Sequence, residues 1–224
     1  DDPKTRDEFL RECLDLENLP TVPPYWKRMR RQNQEGPEPL GVLREPPPLR
    51  PAEFERRQRE GAVVLDCRSA EAFGGGHVPG SLNAGLGRSF PTWAGTVLPI
   101  DRPFLLVLEG ADELWDACWE LLRIGYHLPA GWLAGGMLAW RTAAKPVETL
   151  PQWTVWDLRE RIGSERDLYV LDARQPAEWA GGHIPGAHHI SGGELPARLD
   201  EVPMNRPVAV ICGSGYRSSG AASL

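Results

Sequence analysis

The chain has 224 residues, 25 Lys and Arg against 31 Asp and Glu, a formal net charge of −6 and 41% hydrophobic residues. That length suits one large domain or two of roughly 100 residues each, and the apolar share excludes a wholly disordered chain. The acidic balance argues against a protein built to hold nucleic acid, and no apolar run approaches the ~20 residues of a membrane helix.

The first residue is Asp1 and DDPKTRDEF carries no signal-peptide pattern, so the chain reads as the later part of a longer protein. Phe9, Leu10, Cys13 and Leu14 form a helix-like apolar stripe in residues 6–19. Residues 20–39 (PTVPPYWKRMRRQNQEGPEP) predict an extended, Pro-rich connector. Its Lys27, Arg28, Arg30 and Arg31 read as a solvated basic face.

From there the chain repeats itself. Residues 64–81 read VLDCRSAEAFGGGHVPGS and residues 170–187 read VLDARQPAEWAGGHIPGA, so that Asp66 recurs as Asp172 at an offset of 106 residues. Such a spacing is too long for a solenoid and suits a duplicated domain. In each copy a short apolar run ending in Asp (62–66, 168–172) predicts a buried strand, followed by a Gly-Gly break and a Pro-Gly turn. RPFLLVL (102–108) and RPVAVIC (206–212) predict second strands. Leu114, Ala117, Cys118, Leu121 and Leu122 mark an amphipathic helix over 112–123. Strands alternating with helices indicate an α/β fold with a mainly parallel sheet in each copy. Copy one spans 51–145 and ends in GYHLPAGWLAGGMLAW (125–140). Copy two spans 151–224, has no counterpart of that segment, and is expected to continue beyond Leu224.

Cys13, Cys67, Cys118 and Cys212 form no CxxC pair, and the five histidines form no metal-binding spacing, so reduced thiols, a cytoplasmic protein and neither metal nor cofactor are expected. Cys212 stands out because it ends an apolar strand and is followed by Gly213, Ser214, Gly215, Tyr216, Arg217 and Ser218, after which a helix can start. A Gly-rich turn there aims backbone N–H groups at one point and favours a thiolate. The thiolate is a candidate nucleophile, and Arg217 a candidate fork for an anionic substrate. The plainer alternative makes Cys212 a small core residue. His77 and His183 are expected to stabilise their turns, Asp66–Arg68 and Asp172–Arg174 to form buried ion pairs, and His188 and His189 to lie in a loop. Cys118 reads as a core residue.

These residues resemble tandem rhodanese domains, sulfurtransferases that carry a persulfide on a cysteine. The resemblance rests on Asp172, Arg174, Glu178, GGHIPGA (181–187) and CGSGYRS (212–218), and covers roughly residues 51–224. It implies that Cys212 accepts sulfur and that Gly213, Ser214, Gly215, Tyr216, Arg217 and Ser218 cradle the transferred group, a small sulfur-containing anion or persulfide. Arg174 is a further candidate for setting the field around the thiol. Six residues from Cys212 to Arg217 match the rhodanese loop, whereas related cysteine phosphatases use one more. In copy one, Glu109–Glu113 stands where nucleophile and arginine belong, and that copy is expected to be inactive. Residues 16–37 resemble the end of a metallo-β-lactamase-fold hydrolase, as in fusions of that fold with tandem rhodaneses, the persulfide dioxygenases among them. That implies an upstream domain of this fold as partner. The competing expectation is a non-catalytic pair that docks on such a domain.

Overall fold

The computed structural model describes residues 5–13, 22–36 and 39–224. Helix α1 (Arg6–Cys13) realises the first part of the predicted stripe, with Phe9 and Leu10 exposed; Leu14 lies outside the described residues. The connector departs from expectation, because α2 (Trp26–Glu35) is a helix. Once past Pro23 and Pro24, the run WKRMRRQNQE contains no Gly or Pro to break it. Tyr25 packs into the core beside it. Nor is the basic face all solvated: Arg28 lies over the Tyr126 ring at 5.1 Å and donates to the Ile124 carbonyl at 2.6 Å, while Lys27, Arg30 and Arg31 are exposed.

The first sheet contains β1 (Pro48–Leu49), β2 (Val63–Asp66), β3 (Leu82–Asn83), β4 (Phe104–Val107) and β5 (Gly131–Leu133), all parallel, in the order β1-β5-β4-β2-β3. It reaches back to Pro48, ahead of the boundary drawn at residue 51. Helices α3 (Pro51–Arg59), α4 (Ala70–Gly74), α5 (Phe90–Val97), α6 (Leu114–Arg123) and α7 (Gly136–Thr142) accompany it. Both faces of the sheet are covered. Leu65, Phe104 and Leu106 pack on one side with α5 and α6, and Val64, Leu105 and Val107 on the other with α3 and α7. That explains why these strands read as continuous apolar runs rather than alternating ones.

The second copy repeats the plan with α8 (Val155–Ser164), β6 (Tyr169–Asp172), α9 (Pro176–Ala180), β7 (His188–His189), β8 (Val208–Ile211) and α10 (Tyr216–Ala222). Its parallel sheet has the order β7-β6-β8, the counterpart of β3-β2-β4. The expectation that His188 and His189 lie in a loop is corrected here: they form β7, because Leu171 and Asp172 hold them in parallel register and His188 stacks on Tyr169. Helix α10 also packs against α4, α5 and β3 of the first copy. Among the described residues no helix is long and apolar enough to cross a membrane.

The two turn motifs have one construction. Arg68 forks onto Asp66 (2.6–3.2 Å) and donates to the Gly76 carbonyl at 2.9 Å. Arg174 does the same with Asp172 and Gly182. His77 and His183 each bond a helix carbonyl, Phe73 and Trp179, and stack on that residue's ring. Asp66 is fully buried, so Arg68→Met strands its charge and is expected to cost about 3–5 kcal/mol. Urea unfolding of the variant against the wild type measures that loss.

Candidate active site

Strand β8 delivers Cys212 to the carboxyl end of the second sheet, where the chain turns through an exposed loop, Gly213–Gly215, into α10. Gly215 has φ +90°, a conformation open to glycine at little strain, and it bends the loop back over the sulfur. The Gly215 and Ser218 N–H groups then donate to Cys212 Sγ at 3.1 and 3.4 Å, and the Ser218 hydroxyl lies 3.5 Å from it. The Ser218 hydroxyl also donates to the Gly215 carbonyl at 3.0 Å. A neutral thiol can donate to that oxygen, and a thiolate can draw the hydroxyl hydrogen to itself.

Burial pushes the Cys212 thiol up. The Ser218 hydroxyl and the N–H groups of Ser214, Ser218 and Gly215 outweigh it, and the net shift is downward. Cys67 and Cys118 go the other way. Burial, reinforced by the Asp66 charge, raises Cys67 well above the ordinary range, and burial pushes Cys118 up to about 11.

Arg217 does not stand free for a substrate. Its two terminal nitrogens donate to Glu178 Oε2 and Oε1 at 2.5 and 2.7 Å, while the Gln175 N–H caps the same carboxylate at 3.0 Å. The Arg217 guanidinium holds Glu178 down at about 2, against an ordinary value of 4.5. Glu178 sits on α9, so this pair ties the end of the cysteine loop to the first turn of that helix. Arg174, also expected near the substrate, is taken up by Asp172 and Gly182, and reaches the site only as a neighbouring charge. The backbone of Ser214 serves the sulfur, but the side chain of Tyr216 turns away from it, towards the first copy.

The first copy's loop is filled differently. Sheet register matches Asp66 with Val107 and Asp172 with Ile211, so the place of Cys212 falls to Leu108 and that of Arg217 to Glu113. This refines the expectation that the nucleophile's place lies within Glu109–Glu113: it lies one residue earlier, in the core. Glu113 Oε2 accepts from the Glu109 and Gly110 N–H groups at 3.0 and 3.5 Å. A carboxylate of the chain itself thus occupies the donors at the start of this loop. Glu178 was legible as a motif residue without a role. The signal for its role lay in the repeat: where Arg217 becomes Glu113, Glu178 becomes Ala72.

A family model for the rhodanese-like domain matches residues 50–143 and again 154–224. The chain therefore belongs to the rhodanese-like family. A sulfurtransferase from Allochromatium vinosum is 39% identical to it over 61 residues, 27% of this chain and 57% of that protein. Thiosulfate sulfurtransferase GlpE from Pseudoalteromonas translucida is 32% identical over 59 residues, 26% of this chain and 56% of that one. The chain spans about half the length of the curated relatives it matches. Among solved structures, a thiosulfate sulfurtransferase from Pseudomonas aeruginosa aligns with 90% of this chain and 43% of its own, at 19% identity and TM-score 0.39. A metallo-beta-lactamase from Staphylococcus aureus aligns with 59% of this chain and 34% of its own, at 23% identity and TM-score 0.47.

Two outcomes test the site's electrostatics. Iodoacetamide at neutral pH is expected to label Cys212 ahead of Cys67 and Cys118, as read by peptide mass mapping. Glu178's depressed value means that its pairing with Arg217 stabilises the fold above pH 4.5 and is lost as pH falls towards about 2. The melting-temperature gap between the wild type and Glu178→Gln, followed by calorimetry, should close over that interval.

Proposed function

We propose that this chain is a sulfurtransferase whose second copy carries the reaction on Cys212. The observation that supports the reading most is the convergence of loop donors on Sγ inside a six-residue loop closed by an anchored arginine. The Cys212 thiolate attacks the outer sulfur of thiosulfate, the sulfur–sulfur bond breaks, and sulfite leaves with the bonding electron pair. A low-molecular-weight persulfide can serve as donor in the same way, releasing its thiolate. An acceptor thiolate or cyanide then attacks the outer sulfur of the Cys212 persulfide, and Cys212 departs as thiolate. No redox partner is needed, since the electron pairs balance across the two displacements.

The loop N–H groups stabilise charge on sulfur in both steps. Arg217 acts through its carboxylate brace to keep the loop closed, and its positive field favours an arriving anion. The six-residue loop argues for sulfur over phosphate-ester chemistry. On the same reading the protein works where thiols stay reduced, and its partner is an upstream metallo-β-lactamase-fold domain, supported by the resemblance of residues 16–37. The second reading, a docking pair without catalysis, takes its support from Leu108 and Glu113 in the first copy.

Incubation with thiosulfate is expected to add one sulfur atom to the intact mass, removable by reductant and absent in Cys212→Ser. If the wild-type chain gains no sulfur from thiosulfate or from a glutathione persulfide, the catalytic reading falls and the docking one replaces it.

A further inference from the structure

We infer that the first copy holds the second copy's cysteine loop in register, with Tyr216 as the positioning residue through which it does so. The inference rests on the reading of Cys212 as the nucleophile and adds to it a task for the copy that has lost its own.

Tyr216 lies between the two residues whose N–H groups meet the sulfur on either side, Gly215 and Ser218. Its hydroxyl donates to the Gly85 carbonyl of the first copy at 2.7 Å. Burial pushes the phenol up, so the hydroxyl stays a donor. One turn further along α10, the Ser219 hydroxyl donates to Asn83 Oδ1 at 2.6 Å, and the Asn83 N–H donates to Ser223 Oγ at 2.9 Å. The Asn83 amide is already oriented, because its Nδ2 donates to the carbonyls of Asp66 and Arg68 at 3.0 and 3.1 Å. Its oxygen can therefore face only the second copy.

The repeat supplies the comparison. The counterpart of Asn83 is His189, whose Nε2 donates to the equivalent carbonyl of Arg174 at 2.9 Å. At this position of the repeat, Asn83 of the first copy bonds to the other copy through Ser219 and Ser223. Trp93 completes the contact. A Cβ at Gly192 would lie 2.2 Å from its ring, so the second copy presents bare backbone to it. One at Gly220 would lie 3.0 Å from the Asn83 carbonyl oxygen, which keeps α10 equally close. Asn83, Trp93 and Ser219 are all at most 8% exposed, so these bonds are made away from competing water. Two short hydrogen bonds, spaced one helical turn apart, fix both the position and the rotation of α10. The N–H groups aimed at Sγ are then set by a surface outside their own domain.

The test uses the full chain with Tyr216→Phe and, separately, Ser219→Ala. Neither removes a donor to the sulfur, and the Phe ring keeps the packing. The readout is the pH profile of Cys212 alkylation by iodoacetamide, with sulfur uptake from thiosulfate measured alongside and circular dichroism confirming the fold. Each variant is expected to move the alkylation midpoint upward by roughly half a pH unit, hence about a threefold loss of rate at a fixed pH below it. A merely structural role would lower the melting temperature and leave that profile where it is in the wild type. Profiles unmoved in both variants overturn the inference. A wild-type chain that takes up no sulfur, with profiles that shift as expected, removes the sulfurtransferase reading and leaves the positioning of Cys212 standing.

Discussion

Everything at the carboxyl end of each sheet depends on the buried fork between an aspartate and the arginine two residues after it. A strand that ends in a fully buried carboxylate must neutralise it, and the cationic residue nearest along the chain is that arginine. Once Arg68 or Arg174 has folded back, its remaining donor finds the Gly76 or Gly182 carbonyl and fastens the turn beyond the following helix. In the second copy that helix is α9, and its first turn carries Glu178. Glu178 in turn holds Arg217, and Arg217 closes the loop over Cys212. Two charge pairs, linked through α9, thus lie between the strand end and the loop of Cys212.

The duplication separates what both copies keep from what the second alone carries. Both copies keep the aspartate–arginine fork, the histidine stacked on an aromatic ring and the carbonyl it bonds, so these serve the architecture. The copies part at the loop. Cys212, Arg217 and Glu178 become Leu108, Glu113 and Ala72, a coordinated change in which thiol, cation and brace go together. Glu113 then turns its carboxylate onto the loop's own N–H groups, leaving no vacancy for an external anion at those donors. The chain thus supplies its own anion to this loop.

The first copy also bears on the second structurally. It offers α10 a complete surface, with Asn83 oriented by its own strand end and Trp93 flanked by glycine backbone. The second sheet is smaller, and its core residues form two modest clusters against the larger ones of the first copy. The loop that bears the cysteine is therefore supported from the more extensively packed side.

Much of this was legible from the residues. Continuous apolar runs ending in Asp located β2 and β6, the spacing of Leu114, Ala117, Cys118 and Leu121 located the buried face of α6, and the repeat marked two α/β units. Cys212 at a strand-to-helix turn marked the site. Local sequence carries such information because strand burial, helix periodicity and turn chemistry are set by near neighbours. What it could not carry were partners remote along the chain. The placement of Arg28 depended on Tyr126 and the Ile124 carbonyl, β7 depended on its register with β6, and the engagement of Arg217 depended on Glu178, 39 residues away. The turning of Tyr216 to Gly85, 131 residues distant, is the extreme case. Sequence alone thus determined the two-copy plan and singled out Cys212 at its strand-to-helix turn. Only the tertiary structure decided which groups face it, because a hydrogen bond's donor and acceptor are matched by their positions in space, whatever their separation along the chain.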